Sequence, residues 1–334
     1  MSTLVTEAER TEFESTGRST PSAPARVSST PPRLPFWLRP PANRAPKAPR
    51  PTPRQARWWI GVAWLVLSVV MLGFVGHVAL FGVLQHARSQ ATGYDELRSS
   101  LAQAETPLGQ LDVNEKLVPS GTPVALLKIA KLGLTEVVRQ GTSSEVTRLG
   151  PGHRRDTVMP GQAGTSVIFG RQSTYGGPFG GLAALAPGDT ITVTTGQQTH
   201  TFTVLGLRRA GDPLPEPLAA NAGRLELATA DGLPLAPSGV LYVDASLKGK
   251  PAETPAFAFS ARALDPTEQA MATDPGGWLP LLFMFQWLVV AASLTLWLIQ
   301  KWGRWQTWIV AGPVLLVLGA TSADLTMSLL PNLI

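Results

Sequence analysis

The stretch TITVTTGQQTHTFTVL, residues 190–205, decides the fold. Apolar side chains alternate with threonines on both sides of a short polar break. A period of two gives each run one buried and one wet face, the pattern of an antiparallel strand. Gly196 to Gln198 reads as the turn of a hairpin, because the alternation resumes at Thr199. His200 lies in this threonine-rich alternation and is expected to be exposed.

Working outward, runs of the same kind fall at residues 125–128, 165–169, 224–229 and 240–245, separated by Gly, Pro and Asp. Ala125, Leu127, Ile129 and Leu132 begin an alternating edge that turns at Gly133. Residues 149–164 are a connection dense in Gly and Pro, and residues 179–185 suit a short helix. Residues 122–247 are therefore the one long stretch that reads as a folded, water-soluble domain.

The flanks anchor it. Residues 58–84 contain no Asp, Glu, Lys or Arg, and only His77 is ionisable. They exceed the roughly 20 residues that span a bilayer, and they start too far into the chain for a signal peptide. A helical stalk and linker are expected over residues 85–121, with Tyr94, Leu97 and Leu101 at helical spacing. A linker follows the domain at residues 248–277, with helix potential at residues 266–271. Two further apolar spans, 278–300 and 305–330, flank a tight loop at 301–304 that carries Lys301 and Arg304. Asp324 is the only candidate partner for His77 in another apolar segment. Nine of the ten tryptophans lie in or beside these spans, which suits interface anchors.

Charge sets the expected orientation. Residues 1–57 carry ten Lys or Arg, four acids and eleven prolines, which reads as a disordered cytoplasmic tail. That tail and the Lys301/Arg304 loop are both expected inside, which places the central domain and the residues after the third span outside the cell membrane. Residues 85–277 hold sixteen basic and eighteen acidic side chains, so the domain is not basic and nucleic acid is not an expected partner. Cysteine is absent, which excludes disulfides, Fe–S clusters, thiolate metal sites and thiol nucleophiles. No cofactor or metal site is expected.

The domain resembles a sortase, most closely the actinobacterial housekeeping type (class E-like). The resemblance rests on Gly150-Pro151-Gly152-His153, Met159-Pro160-Gly161, Val167-Ile168-Phe169-Gly170-Arg171 and Tyr175-Gly176-Gly177-Pro178-Phe179. It continues through Leu182, Leu185 and Pro187-Gly188-Asp189-Thr190-Ile191, and ends with the run from Arg224 to Asp231. It implies a closed, mostly antiparallel β-barrel with short helices. It also implies cysteine transpeptidation, in which a sorting signal is held as a thioester and passed to an amine. The two spans after the domain depart from the usual single-span arrangement.

The resemblance also shows what is missing. The family histidine position is Arg171, the cysteine position is Ala230, and the nearest equivalents of the arginine are Gly239 and Val240. Ala230 offers no lone pair, and acyl transfer needs an activated nucleophile. Thr229 is adjacent and should face away from the site, because neighbouring strand residues point to opposite faces. Arg171 stays protonated at neutral pH and makes a poor general base. His153 belongs to a turn motif and is expected to be structural.

No catalytic residue is therefore assigned. Arg171, Tyr175 and Thr229 are the candidate groove or ligand contacts, within a groove expected to run past Ala230 and a loop at residues 232–239. The leading expectation is a non-catalytic membrane protein that binds or scaffolds a secreted or cell-envelope polypeptide, or integral membrane proteins. One alternative is a transpeptidase or hydrolase with a nonstandard nucleophile. The other is a purely structural subunit, favoured if Arg171 or a partner chain fills the groove.

Overall fold

A computed structural model describes residues 56–256 and 259–334. The Pro-rich tail expected over residues 1–57 lies outside them but for its last two residues.

Eight strands close into one barrel: β1 (Pro123–Ile129), β2 (Leu134–Gln140), β3 (Gly152–His153), β4 (Gly164–Phe169), β5 (Thr190–Thr195), β6 (Thr199–Arg208), β7 (Gly223–Leu233) and β8 (Ala236–Leu247). Their order around the barrel is β1-β2-β3-β4-β7-β8-β6-β5. β4 runs parallel to β7, with Phe169 opposite Ala228. β2 is parallel to β3, and the other pairings are antiparallel. Closure leaves no open edge.

The opening hairpin forms as its alternation requires. Ile191 faces Phe202, and both are fully buried with Leu127, Ile129, Ile168, Leu225, Leu227 and Val243. Each such side chain contributes about 1.5–3 kcal/mol by leaving water. His200 has the same parity as Phe202 and Val204, so it points inward and is buried, not exposed as its threonine neighbours suggest. Its imidazole lies against Gly161, where a Cβ would clash with the ring. Burial lowers its pKa.

β2 is a strand that periodicity misses, because Glu136, Arg139 and Gln140 are polar and nevertheless buried. Their partners come from elsewhere. His86 lies 2.9 Å from Glu136, and Gln90 accepts from the Val137 amide at 2.6 Å. Arg139 donates to the Ser89 and Gly121 carbonyls at 3.2 and 2.8 Å.

All of those partners but Gly121 sit on the membrane-anchoring helix. α1 (Ala56–Gly76) continues through a π-helical turn (His77–Phe81) into α2 (Gly82–Ala102). A four-residue helix, α3 (Ser144–Thr147), follows β2, and α4 (Trp278–Lys301) and α5 (Arg304–Ser328) form a hairpin. Gly303 turns the hairpin with φ +104°, which a side chain would disfavour. Three helices are long and apolar enough to cross a membrane, spanning Trp59–Ala102, Pro275–Lys301 and Arg304–Ser328. The chain is a multi-pass membrane protein.

Candidate functional site

The site forms where β4 ends at Phe169 beside Ala228, and β7 runs on without it towards Leu233. Odd-numbered Leu225 and Leu227 of β7 enter the barrel core, whereas Ala228 and Ala230 belong to a second apolar cluster on the opposite face. Thr229 shares the parity of the core residues, and its buried hydroxyl has no hydrogen-bond partner. Val240 lies opposite Ala230 on β8 and packs against the second cluster.

That cluster has an occupant. Residues 331–334, which follow α5, lie across it with Leu333 and Ile334 buried. The Leu333 carbonyl accepts from the Gln172 amide at 2.9 Å and the Ala230 amide at 3.4 Å. The Ile334 main-chain oxygen accepts from the Ser173 and Thr174 amides at 3.3 and 2.9 Å and from the Thr174 hydroxyl at 2.8 Å. Asn332 fixes the approach, donating from Nδ2 to the Thr142 and Gln269 carbonyls at 2.7 and 2.8 Å. Arg171 and Ala230 are thus joined through one segment, since Gln172 and Ala230 bond the same carbonyl.

Arg171 is fully buried behind this segment and does not line an open groove. Its Nη1 donates to Thr174 Oγ1 at 3.0 Å, and its Nη2 donates to Ser144 Oγ and Ser144 O at 2.7 and 3.1 Å. Its guanidinium stands 5.0 Å from the Tyr175 ring centroid. Burial lowers its pKa to about 10, so it remains a cation at neutral pH. Each neighbour continues the chain of contacts. Thr174 holds Ile334, Ser144 Oγ donates to the Ser328 carbonyl at 2.8 Å, and Tyr175 donates to Asp324 Oδ1 at 3.1 Å. Burial raises the Tyr175 pKa, which keeps its hydroxyl a donor.

His77 and Asp324, the pair singled out in the apolar segments, come together with Nε2 and Oδ1 3.9 Å apart. The His77 ring stacks on Phe81 at 5.4 Å, and neither ring nitrogen has a hydrogen-bond partner. His153 is fully buried, with Nδ1 and Nε2 each 2.9 Å from a partner, the Gln140 side-chain amide and the Val158 carbonyl. Burial lowers its pKa to about 4, so the ring is neutral and serves the fold.

The loop expected over residues 232–239 is not there. β7 and β8 run on to Leu233 and from Ala236, leaving Pro234-Leu235 as a two-residue turn. The alternating residues around that turn are exposed, so neither apolar periodicity nor core burial marks the strands' extension.

Residues 127–213 match the sortase domain family. Over those residues the barrel is similar to a sortase domain. The match includes Arg171 and Tyr175 and stops short of Ala230 and Val240. The family's cysteine nucleophile has no counterpart, because the chain contains no cysteine. Among the described residues no cluster of His, Asp and Glu could hold a metal ion.

Similar solved structures come from several sortase classes. The sortase D5 transpeptidase of Clostridium perfringens is 19% identical over 48% of this chain and 99% of that one, with a TM-score of 0.40. Sortase E of Streptomyces avermitilis is 29% identical over 40% of this chain and 91% of that one, with a TM-score of 0.35. The SrtF sortase of Corynebacterium diphtheriae is 21% identical over 45% and 95%, with a TM-score of 0.35. No curated protein matches the chain.

Seating of residues 331–334 has a direct chemical readout, because a cysteine-free chain takes a single reporter thiol cleanly. Ala230→Cys should react with a maleimide at least about a hundredfold more slowly than Gln198→Cys in the exposed hairpin turn, since reaction needs local opening. Equal rates would show that the segment does not cover Ala230.

Proposed function

We propose that this protein is a non-catalytic, membrane-anchored sortase-domain scaffold of the cell envelope, whose former peptide groove is closed by its own residues 331–334. The observation that carries this reading is the seating of Leu333 and Ile334 beside Ala230, through main-chain oxygens that accept from Gln172, Ala230, Ser173 and Thr174. Arg171, Ala230 and Val240 are read as relict active-site positions. A tight turn, closed by the Ile334 amide donating to the Pro331 carbonyl at 3.0 Å, satisfies the amides that follow β4 and the Ala230 amide there, and no nucleophile stands at Ala230.

With the groove filled from within, the surfaces left for partners are the barrel exterior and the membrane spans. The partner is accordingly an integral membrane or cell-envelope protein engaged through those faces. The barrel lies outside the cell membrane in this reading, with the start of the chain in the cytoplasm, as the basic residues before the first span and at Lys301 and Arg304 imply. The class E-like, actinobacterial character belongs to the same proposal and rests on the motifs between Gly150 and Ile191.

Gentle detergent extraction from native membranes, with mass spectrometry of the intact complex, tests the proposal. The expected result is a stoichiometric protein partner and a chain of unmodified mass. An acyl adduct on a Ser or Thr would overturn it in favour of an enzyme with a nonstandard nucleophile. A separate peptide displacing residues 331–334 from the groove would overturn it in favour of a peptide-binding module.

A further inference from the structure

A cleft of about 400 Å³ opens between α2, β2 and the barrel end of α5. Its walls carry Arg88, Arg139, Arg148, Ser89, Tyr175 and Asp324. On α2 the lining side chains Gln85, Arg88, Ser89 and Thr92 recur at intervals of three and four, so one helical face supplies that wall. The cleft lies at the level where the first apolar span gives way to polar residues, since Leu84 is exposed and Arg88 follows one turn later.

Its charges are unevenly answered. Among the described residues Arg88 and Arg148 make no salt bridge and no side-chain hydrogen bond, and both are exposed. Arg139 is buried; it meets Glu96 at 3.5 Å and the two carbonyls on α2 and before β1, but its Nε is buried without a partner. Ser89 Oγ is likewise buried and unpartnered. The lining carboxylate, Asp324, accepts from the Tyr175 hydroxyl at 3.1 Å and stands 3.9 Å from His77. Nearby Glu136 is 2.9 Å from His86. A concave site with two free guanidinium groups, a third with an unused donor and a spare hydroxyl matches a phosphate, whose oxygens accept from several forked donors at once. At the membrane boundary the phosphates at hand belong to lipid headgroups.

We propose that this cleft binds the phosphate of an anionic phospholipid from the leaflet beside the barrel, with Arg88 and Arg148 as the principal ligands. The lipid wedges between α2 and α5, and so fixes the barrel's height and tilt on the bilayer. The site is separate from the groove that residues 331–334 occupy, and it stands whether or not the scaffold reading does.

The test uses the full chain in nonionic detergent, with short-chain phosphatidylglycerol, phosphatidylcholine and inorganic phosphate as probes, read by native mass spectrometry and titration. Phosphatidylglycerol should bind, and the Arg88→Gln/Arg148→Gln variant should bind it at least tenfold more weakly with an unchanged melting temperature. A control losing the same charge elsewhere, Arg98→Gln/Lys128→Gln, should stay within twofold of the parent. Phosphatidylcholine binding as tightly as phosphatidylglycerol would overturn the proposal, as would equal losses in both double variants, which would mean diffuse charge attraction. Inorganic phosphate binding as tightly as the lipid would assign the same chemistry to a free anion and overturn the lipid assignment. No saturable binding of any probe would overturn the site itself.

Discussion

Arg171→Met is expected to lower stability by about 3 kcal/mol and to expose the groove. Three hydrogen bonds from a charged donor are lost, each contributing about 1.5–3 kcal/mol in a buried setting. Against that, burial holds the guanidinium pKa down at about 10, well below its ordinary value, a cost of about 3 kcal/mol that methionine removes. The first contribution is the larger, so the loss wins, but by less than a count of bonds suggests. Arg171→Lys should fall between, because an ammonium keeps the charge and loses the fork that reaches Ser144 and Thr174 together. Chemical denaturation of the detergent-solubilised chain measures the stability change. Maleimide labelling of Ala230→Cys in the Arg171→Met background measures the groove, and should accelerate by at least about tenfold as Thr174 loses its support. A destabilised protein with unchanged labelling would show that Arg171 braces the fold without holding residues 331–334.

Acidification should weaken the barrel well before its carboxylates titrate. His153 is neutral in the fold, with a pKa near 4 against 6.5 for the free side chain. Between those values the unfolded chain binds a proton that the folded one excludes, so stability rises with pH through this window. Its contribution is fully present above pH 6.5 and is lost as pH falls towards 4, a change of about 3 kcal/mol. His200, lowered by burial on the same barrel, acts in the same direction. His153→Gln should lower stability at pH 7, because the neutral ring's contacts to Gln140 and Val158 go, and should flatten the profile between pH 6.5 and 4. Denaturation midpoints at pH 7.5, 5.5 and 4.5 decide it. A slope of undiminished size in His153→Gln would assign the acid sensitivity to other groups.

The filled groove explains why this barrel can tolerate alanine at residue 230. A cysteine in a working site needs access to solvent and substrate, whereas Ala230 is buried beneath Leu333 and Ile334. The same enclosure makes arginine acceptable at residue 171, where it cannot act as a base but can carry hydrogen bonds to Ser144 of α3 and to Thr174 at once. Tyr175 and Ser144 then connect the barrel to α5 through Asp324 and Ser328. The domain and its membrane hairpin are thereby fastened by polar contacts.

Sequence alone was enough for whatever depends on local pattern or on the chemistry of one position. The threonine-rich hairpin at residues 190–205, the apolar spans and the missing nucleophile at Ala230 are of this kind. A strand's period is written in consecutive residues, a bilayer needs only a long apolar run, and an alanine has no lone pair in any fold. Tertiary structure alone decided the rest. β2 was hidden because its buried Glu136 and Arg139 find partners some fifty positions away on α2. His200 was misplaced because composition outvoted parity. The seating of Ile334 on Thr174, 160 residues apart, and the cleft shared by Arg88, Arg148 and Asp324 have no local signature. Such contacts exist only once barrel closure and the helical hairpin have brought distant segments together, since hydrogen bonds and charge pairs act over a few ångströms in space whatever their separation along the chain.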